Sequence, residues 1–221
     1  RNLIINGAMQ VAQRGTSSTT SGYGSVDRFR VLYQGTDEAP TQSQVDVASG
    51  TTPYTLGFRK ALRVTNGNQT SGAGSSDNIK INNIIEGQDI NGSGWNYLSS
   101  SSFITLSFWV KSSVAQNFYG FIRNTDGTMY QYPFETGSLT ADTWTKITKT
   151  ISGNSNLQFD NNNGGAWELY IEQFAGTAET ASGVTLNAWA TYSGTAKMPD
   201  FTSTWYTTND ATFEITGVQL E

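Results

Sequence analysis

Phe103-Ile-Thr-Leu-Ser-Phe-Trp-Val-Lys-Ser-Ser113 is the stretch of sequence that decides the fold. Successive side chains of a strand point to opposite faces of a sheet. One face of this stretch is wholly apolar and holds Ile104, Leu106, Phe108 and Val110. The other face is mixed and holds Phe103, Thr105, Ser107 and Trp109. A single apolar face is typical of a central antiparallel strand in a β-sandwich. We therefore expect the mixed face to be partly covered or lined with binding groups.

The composition fits one large domain built of strands. The chain has 221 residues, of which 36% are hydrophobic and 12% are aromatic. Few but large side chains must form the core, because aromatic rings bury the most area per residue. Only 14% of the residues are charged, against about a quarter in typical soluble proteins. A surface of neutral hydrogen-bonding groups suits an extracellular or particle-borne protein, and it suits contact with sugars.

The residue types that the chain lacks exclude several function classes. Cysteine and histidine are both absent, which rules out a disulfide, a thiol nucleophile, a Ser-His-Asp triad and a zinc site with histidine. The net charge is −5 and no long basic run occurs, so the signature of a nucleic-acid binder is missing. No apolar run approaches the roughly 18 residues that span a bilayer, so we expect no membrane insertion.

A second strand is predicted within residues 23–33. Its core face would hold Asp27, Phe29, Val31 and Tyr33. A core-side aspartate needs a partner. Two interpretations of Asp27 stay open: it pairs with Arg14, or it only caps a turn.

Turn and bulge signals divide the rest of the chain. Residues 78–85 place Ile79 and Ile81 in one phase and Ile84 in the other, which indicates a bulge near Asn82 and Asn83. A phase slip at Gly217 indicates a bulge in the last strand.

The Asn-Thr-Asp-Gly sequence at 124–127 predicts a hairpin. The Gly/Ser/Asn-rich loop 66–77 has no apolar anchor, so we expect it to be mobile.

These segments add up to about ten strands, with no helix longer than one turn. The predicted fold class is all-β, an antiparallel jelly-roll β-sandwich of about ten strands. We expect it to form a single domain over residues 1–221. The apolar segment 2–7 reads as a first strand, and we expect it to lie beside the last strand in one sheet. Because Arg1 is not an initiator methionine, we expect the chain to be a fragment of a longer one.

Both ends of the chain and its central strand carry distinctive motifs. The opening motifs are Asn2-Leu-Ile-Ile-Asn-Gly7, Gln13-Arg-Gly-Thr-Ser17 and Val26-Asp-Arg-Phe29. The central strand contributes Thr105-Leu-Ser-Phe-Trp-Val-Lys111, and the closing strand contributes Thr212-Phe-Glu-Ile-Thr-Gly-Val-Gln-Leu-Glu221. Together these motifs resemble a module of tailed-bacteriophage tail-fibre and other virion structural proteins. The closing motif is the most specific part, and the resemblance covers essentially the whole chain.

The resemblance implies a virion protein with the architecture of a carbohydrate-binding jelly roll. Such modules are often homotrimers that contact other virion proteins, and they sit on a tail fibre or on the capsid surface. A lectin-like sandwich in that place would meet glycans of the host surface. The resemblance carries over no catalytic residues.

Aromatic residues in polar surroundings are the candidate sugar-binding groups. Sugars pack on flat aromatic faces beside neutral polar groups. Trp189 and Tyr192, and the pair Trp205 and Tyr206, lie in loop-like segments. Six tryptophans in a chain with few aliphatic residues also favour the opposite interpretation, in which these rings pack under long loops.

Metal binding and catalysis have weaker candidates. Asp160-Asn-Asn-Asn-Gly164 resembles the start of a calcium loop, but its twelfth position is Ile171 where an acidic ligand is expected. The EF-hand interpretation therefore fails. A calcium ion near the termini of the jelly roll stays open as a cofactor, because such a site needs only backbone carbonyls and one or two Asp or Asn, and no metal ligand is assigned. Glycoside cleavage needs two close carboxyl groups, whereas Glu168 and Glu172 would be about 13 Å apart along a strand.

Three functions follow. The first is a non-enzymatic phage structural protein that displays a lectin-like sandwich for host glycan attachment. The second is a purely structural capsid decoration or fibre-joining module, which predicts that the aromatic residues of 175–206 are buried. The third is a polysaccharide-cleaving tailspike domain, which predicts a pair of close carboxylates in a cleft.

Overall fold

The structure is a computed structural model, and it describes residues 2–221. Twelve strands and three short helices lie in this part of the chain. The strands are β1 (Ser17–Ser18), β2 (Phe29–Gln34), β3 (Thr41–Asp46), β4 (Lys60–Thr65), β5 (Asn78–Glu86), β6 (Phe103–Ser112), β7 (Asn117–Asn124), β8 (Tyr130–Ser138), β9 (Thr145–Ser152), β10 (Gly165–Ala175), β11 (Ala190–Thr191) and β12 (Thr212–Leu220). The helices are α1 (Thr52–Thr55), α2 (Gly87–Asn91) and α3 (Thr204–Thr207). None of the helices in residues 2–221 is long and apolar enough to cross a membrane.

The strands form two antiparallel sheets that face each other. Sheet A has the order β1-β3-β4-β12-β6-β9, and sheet B has the order β11-β8-β7-β10-β5-β2. Ten of the twelve strands have at least six residues, and the two others have two residues each. The predicted all-β jelly-roll sandwich of about ten strands is confirmed.

The central strand β6 has the predicted faces. Ile104, Leu106, Phe108 and Val110 are all buried in the core between the sheets. Phe118 and Phe134 of sheet B meet this layer from the other side; the Phe134 ring lies 6.3 Å from that of Phe108. Alternation along one strand was therefore sufficient to identify the core face.

The N-terminal segment lies beside the last strand but is not itself a strand. Leu3 donates its N–H to the carbonyl of Leu220 at 2.9 Å, and Val218 donates to the carbonyl of Gly7 at 3.0 Å. A Cβ at Gly7 would lie 2.0 Å from the Val218 carbonyl oxygen, so only glycine permits this approach. The predicted neighbourhood of the two ends is confirmed, and the predicted first strand is wrong, because turns replace a ladder in residues 5–8.

One predicted bulge exists and the other does not. Gly217 has φ 63, and the pairing of β12 with β6 is interrupted between Thr216 and Gln219, as expected. Strand β5 pairs with β2 without interruption from Asn78 to Asn83. The bulge predicted near Asn82 is wrong because Asn83 itself takes an inward position and donates to the Arg28 carbonyl at 2.9 Å.

Polar groups rather than apolar ones hold the loop 66–77. Buried Asn66 donates its amide to the carbonyls of Trp205, Tyr206 and Thr208. Gln69 is buried and donates to the Glu38 carbonyl at 2.9 Å. The loop was expected to be mobile because it has no apolar side chain to hold it. The hydrogen bonds of these buried amides hold it instead.

Asp27 contacts its predicted partner Arg14, so the interpretation that it only caps a turn is wrong. Its carboxylate lies 3.7 Å from the Arg14 guanidinium and accepts the Gln13 N–H at 3.1 Å. The hairpin at 124–127 joins β7 to β8, and Gly127 supplies the positive φ of 62 that its turn requires. Both local predictions are confirmed.

The long connection 176–203 lies over the outer face of sheet B, and we call it the crossing segment. It folds back on itself, with Thr180 bridged to Met198 in parallel. Met198 is fully buried against Phe121 and Tyr170 of sheet B. Sheet B therefore has a second, smaller apolar cluster on the side away from the main core.

Candidate functional site

Two of the four predicted sugar-binding residues lie in the core. Trp205 and Tyr206 belong to α3 and have exposed fractions of 0% and 1%. The indole of Trp205 donates to the Thr212 carbonyl at 3.1 Å, and the Tyr206 hydroxyl donates to Asp77 at 3.1 Å. Neither ring has a face open to a sugar. The expectation of binding platforms here is corrected, because one helical turn tucks both rings inward.

The two other predicted residues are partly exposed but engaged. Trp189 packs edge-on against Tyr132 and Trp167, and its indole donates to the Ser152 carbonyl at 2.8 Å. Tyr192 lies on the outer face of sheet B, with the Arg123 guanidinium 4.7 Å from its ring centroid. A binding role for Trp189 and Tyr192 stays a prediction.

Two hollows flank the chain segment 200–204 at one end of the sandwich, and together we call them the Asp200 site. The first has a volume of about 220 Å³ and is lined by Phe174, Thr177, Thr180, Phe201 and Ser203 among others. The second has a volume of about 340 Å³, and its lining includes Asn117, Tyr119, Ser138, Thr202 and Thr204. Asp200 lines both hollows.

A continuous row of rings supports the Asp200 site. Phe201 packs edge-on against Tyr119 at 5.0 Å and against Phe174 at 6.1 Å. Phe174 in turn stacks on Tyr206 at 4.4 Å. Phe201 and Tyr119 are partly exposed, whereas Phe174 and Tyr206 are buried. The predicted residue Tyr206 therefore lies beneath the site and fixes the rings that reach the surface.

The Asp200 carboxylate is the charged group of the site. Its Oδ1 accepts the Thr180 hydroxyl at 2.7 Å, which fixes the orientation of the carboxylate. In the part of the chain that the structure describes, the Oδ2 atom has no hydrogen-bond partner and the residue is exposed. A fixed carboxylate with a free oxygen accepts hydroxyl groups of a ligand, and the surrounding threonine and serine hydroxyls can donate and accept.

Close backbone approach shapes the wall of the first hollow. Gly176 follows β10 directly, and its N–H donates to the Asp77 carbonyl at 2.9 Å. A Cβ on Gly176 would lie 2.3 Å from the Gly74 carbonyl oxygen. The loop 66–77 and the start of the crossing segment therefore meet at a distance that only glycine allows.

The outer face of β10 carries a charged array next to the crossing segment. Glu168, Tyr170 and Glu172 share this face, as their spacing predicted. The Arg123 guanidinium donates to Glu168 at 2.6 Å. Burial raises the pKa of Glu172 to about 7, although the nearby Lys80 ammonium opposes this rise.

This array does not form a cleavage site. Glu168 is paired with arginines, and Glu172 is fully buried. Glu172 and Glu179 both approach the Lys80 ammonium, at 4.0 and 3.4 Å. These two carboxylates are close, but Glu172 has no exposed surface, so the pair does not line a cleft of the kind that glycoside cleavage requires.

The calcium-like loop 160–164 uses its oxygens within the protein. The carbonyls of Asn162 and Gly164 accept the N–H groups of Gln88 and Gly87 at the start of α2. Asp126 accepts the Asp160 N–H at 2.8 Å. Within residues 2–221, no group of three or more acidic side chains is placed to hold a metal ion.

Sequence reasoning missed the residues that line the Asp200 site. The prediction selected Trp189 and Tyr192 in the connection 175–203 and passed over Asp200 and Phe201 in the same connection. Tyr119 alternates with the inward residues of its strand, which was the available signal for an outward ring. Its proximity to Phe201 depends on the path of the crossing segment, which has no periodic pattern.

No protein-family model and no curated protein sequence matches the chain. The solved structures with a similar fold include carbohydrate-binding modules. A CBM4 module is 13% identical over 99% of this chain and 98% of its own, with a TM-score of 0.47. The module TmCBM61, solved with β-1,4-galactotriose, is 10% identical over 100% of this chain and 98% of its own, with a TM-score of 0.44.

A family 11 module from Clostridium thermocellum, solved with a β-1,3-1,4-mixed-linked tetrasaccharide, is 11% identical over 93% of this chain and 95% of its own. Its TM-score is 0.40. These values describe a distant likeness of shape, and the bound saccharides are properties of those proteins.

Proposed function

We propose that this chain is a non-catalytic glycan-binding β-sandwich and that the Asp200 site takes the sugar. The observation that carries the proposal is the pair of hollows that share one oriented carboxylate beside two partly exposed rings. Sugar hydroxyls pair with a carboxylate and with serine and threonine hydroxyls, while the apolar face of a sugar ring packs on an aromatic ring. The Asp200 site combines these groups.

The biological setting that we propose is the surface of a bacteriophage particle. Its support is the resemblance of the opening, central and closing segments to virion structural modules. In that setting the chain sits in the virion, on a tail fibre or on the capsid surface, as a homotrimer in contact with other virion proteins. Sedimentation of the purified chain tests the trimer, since a stable monomer would count against it.

A purely structural decoration or fibre-joining module is the second candidate. The burial of Trp205 and Tyr206 favours it, because this candidate predicts buried aromatic residues in 175–206. It differs from the first candidate in one respect: it predicts that the Asp200 site binds no glycan.

A glycan array with two substitutions separates the candidates. The purified chain is screened with calcium and then with chelator, and each hit is titrated with Asp200→Asn and Phe201→Ala. We expect each substitution to weaken binding by about tenfold or more, because a charge-assisted hydrogen bond or a ring contact is lost. Asp46→Asn is the matched control, since Asp46 is exposed on β3 of sheet A.

Four outcomes decide between the candidates. Binding that is lost with both substitutions and kept in Asp46→Asn supports the glycan site. Binding that survives both substitutions removes the Asp200 site from the proposal. A folded sample that binds no glycan favours the structural module, and loss of binding with chelator alone would bring a metal ion into the site.

A further inference from the structure

Sheet A presents a second surface on the opposite side of the sandwich from the crossing segment. Strands β4, β12, β6 and β9 are neighbours there, and one row across them places Arg63, Glu214 and Lys111 side by side. The adjacent row places Thr216, Trp109 and Lys146 side by side. These residues alternate with the core residues of the same strands, so they share the outer face.

This face is open to solvent over β9 and in part at Trp109 of β6, whereas Glu214 and Thr216 of β12 are buried. Lys146, Thr148 and Thr150 of β9 are exposed, and Trp109 is only partly buried. On sheet B the equivalent outer face is covered over β10 and β7 by Met198 and its neighbours. The mixed face of the central strand β6 is therefore a solvent-facing surface that carries a tryptophan.

Positive charge is in excess on this face. Glu214 is buried and accepts Arg63 at 2.7 Å and Lys111 at 3.0 Å from opposite sides. Lys146 adds a third cation in the next row. Three cations and one carboxylate therefore lie in these two rows, on a chain whose net charge is −5.

Two tryptophans lie among these cations. Trp109 faces Lys146 across the β6–β9 pair, and Trp144 comes directly before β9 on the side of Lys111. The Lys111 ammonium lies 5.3 Å from the Trp144 ring. Diagonal neighbours on paired strands are about 7–8 Å apart, so the two rings can meet neighbouring units of one chain-like ligand. We call Arg63, Trp109, Lys111, Trp144 and Lys146 the aromatic–cation face.

We propose that the aromatic–cation face binds an acidic polysaccharide, with sugar rings on Trp109 and Trp144 and carboxylates on the surrounding cations. Charge complementarity favours this ligand, because the cations of the face can pair with a polysaccharide that carries negative groups at regular intervals. The proposal does not depend on a ligand at the Asp200 site, which offers a carboxylate and would not attract a negative group.

The test uses acidic polysaccharides and an uncharged partner. Binding of the whole chain to polygalacturonate, alginate and hyaluronate is measured by titration, together with fully methyl-esterified polygalacturonate. We expect at least one acidic chain to bind. We expect the methyl ester to bind about tenfold more weakly than polygalacturonate if polygalacturonate is the ligand. Binding should weaken as salt rises from about 0.1 M to about 1 M, because the screening length falls from about 10 Å to about 3 Å.

Substitutions place the ligand on the face. Trp109→Ala should weaken binding about tenfold through loss of a stacking surface, and Lys146→Gln should weaken it less and reduce the salt dependence. Arg14→Gln is the matched control, since Arg14 lies 5.8 Å from the Tyr23 ring in a different part of the molecule. Thermal melting of each variant shows that it is folded, and Lys146→Gln removes an exposed charge without touching the core.

Several results would overturn the proposal. Absence of binding to all three acidic chains at low salt would do so, as would equal binding to the methyl ester. Binding that is lost in Asp200→Asn and kept in Trp109→Ala would assign the ligand to the Asp200 site instead. If Trp109→Ala turns an oligomer into a monomer, the face is a contact between copies of this chain and not a polysaccharide site.

Discussion

Glu168 and Glu172 lie four residues apart on the same face of β10, yet their surroundings differ in every contact. The Glu168 Oε2 atom accepts Arg123 at 2.6 Å and the Tyr170 hydroxyl at 2.9 Å, and Arg30 lies 3.6 Å from its other oxygen. Neither oxygen of Glu172 has a hydrogen-bond partner among residues 2–221, and the Lys80 ammonium lies 4.0 Å away.

The comparison shows that burial alone does not decide whether a carboxyl group is ionised in the folded protein. Both side chains are buried, but Glu168 is matched by two guanidinium groups and a hydroxyl. Glu172 has no hydrogen bond, and burial raises its pKa to about 7, although the charges of Lys80 and Lys197 oppose this rise. One strand therefore carries a carboxylate that stabilises the fold and a carboxyl group that costs stability once it ionises.

Glu172→Gln gives the largest expected effect. The pKa of Glu172 is about 7 in the folded protein and 4.5 in the reference state, so the folded state loses stability as the pH rises from about 4.5 through 7. The glutamine variant cannot ionise, so at pH 8 we expect it to be more stable than the parent by up to about 3 kcal/mol. Urea denaturation at pH 4 and pH 8 measures the difference.

The pH dependence is the internal control of that experiment. At pH 4 both proteins have a neutral group at position 172, so their free energies of unfolding should agree within about 0.5 kcal/mol. Lys80, Lys197 and Glu179 also face Glu172. The pKa of Lys80 is raised and that of Glu179 is lowered, so these two groups keep their charges near neutral pH. A difference of equal size at pH 4 and pH 8 would mean that the substitution acts through packing and not through ionisation.

Glu168→Gln should have the opposite sign. It removes the anion that Arg30 and Arg123 share, and hydrogen bonds to charged groups contribute about 1.5–3 kcal/mol. Both arginines are partly exposed and regain water, so we expect a loss of about 2 kcal/mol at pH 8. If glutamine stabilised the protein at position 168 as well as at position 172, the two carboxyl groups would not differ in their effect on stability as proposed.

Glu135→Gln is the control for replacing a carboxylate by a neutral amide in the same sheet. Glu135 lies on β8 of the same sheet and accepts the Asn117 amide at 2.7 Å, and the structure gives it no ion pair among the described residues. A glutamine oxygen can accept the same bond. The measured loss should therefore be within about 0.5 kcal/mol.

The shared face of Glu168, Tyr170 and Glu172 could be predicted from the sequence, and their different surroundings could not. Alternation within β10 is a local pattern with a period of two residues. The partners Arg30 and Arg123 come from β2 and β7, and they meet Glu168 only because β10 pairs with β5 and β7 in one particular register. Register between distant strands leaves no mark on a single sequence.

The prediction that Trp205 and Tyr206 are sugar-binding platforms is wrong for a related reason. Trp205 and Tyr206 lie in a polar segment, but α3 directs both rings into the core, and Gln116 accepts the backbone N–H of Trp205 at 2.9 Å. Phe201, four residues earlier, reaches the surface. Composition identified the connection that holds the candidate site, whereas the choice of ring depended on tertiary contacts that composition does not record.

Tyr170→Phe gives the smallest effect among the three substitutions on β10 and tests whether the hydroxyl supports Glu168. Burial and the charge of Glu168 raise the pKa of Tyr170, so the hydroxyl stays a hydrogen-bond donor through the neutral range. The variant keeps the stacking on Phe121, whose ring lies 4.5 Å away, and we expect a loss of about 1 kcal/mol for one hydrogen bond. In the Glu168→Gln background the loss should shrink, because a neutral acceptor binds the hydroxyl less strongly. Equal losses in both backgrounds would show that the hydroxyl acts through Arg123, which lies 3.3 Å from it, and not through the carboxylate.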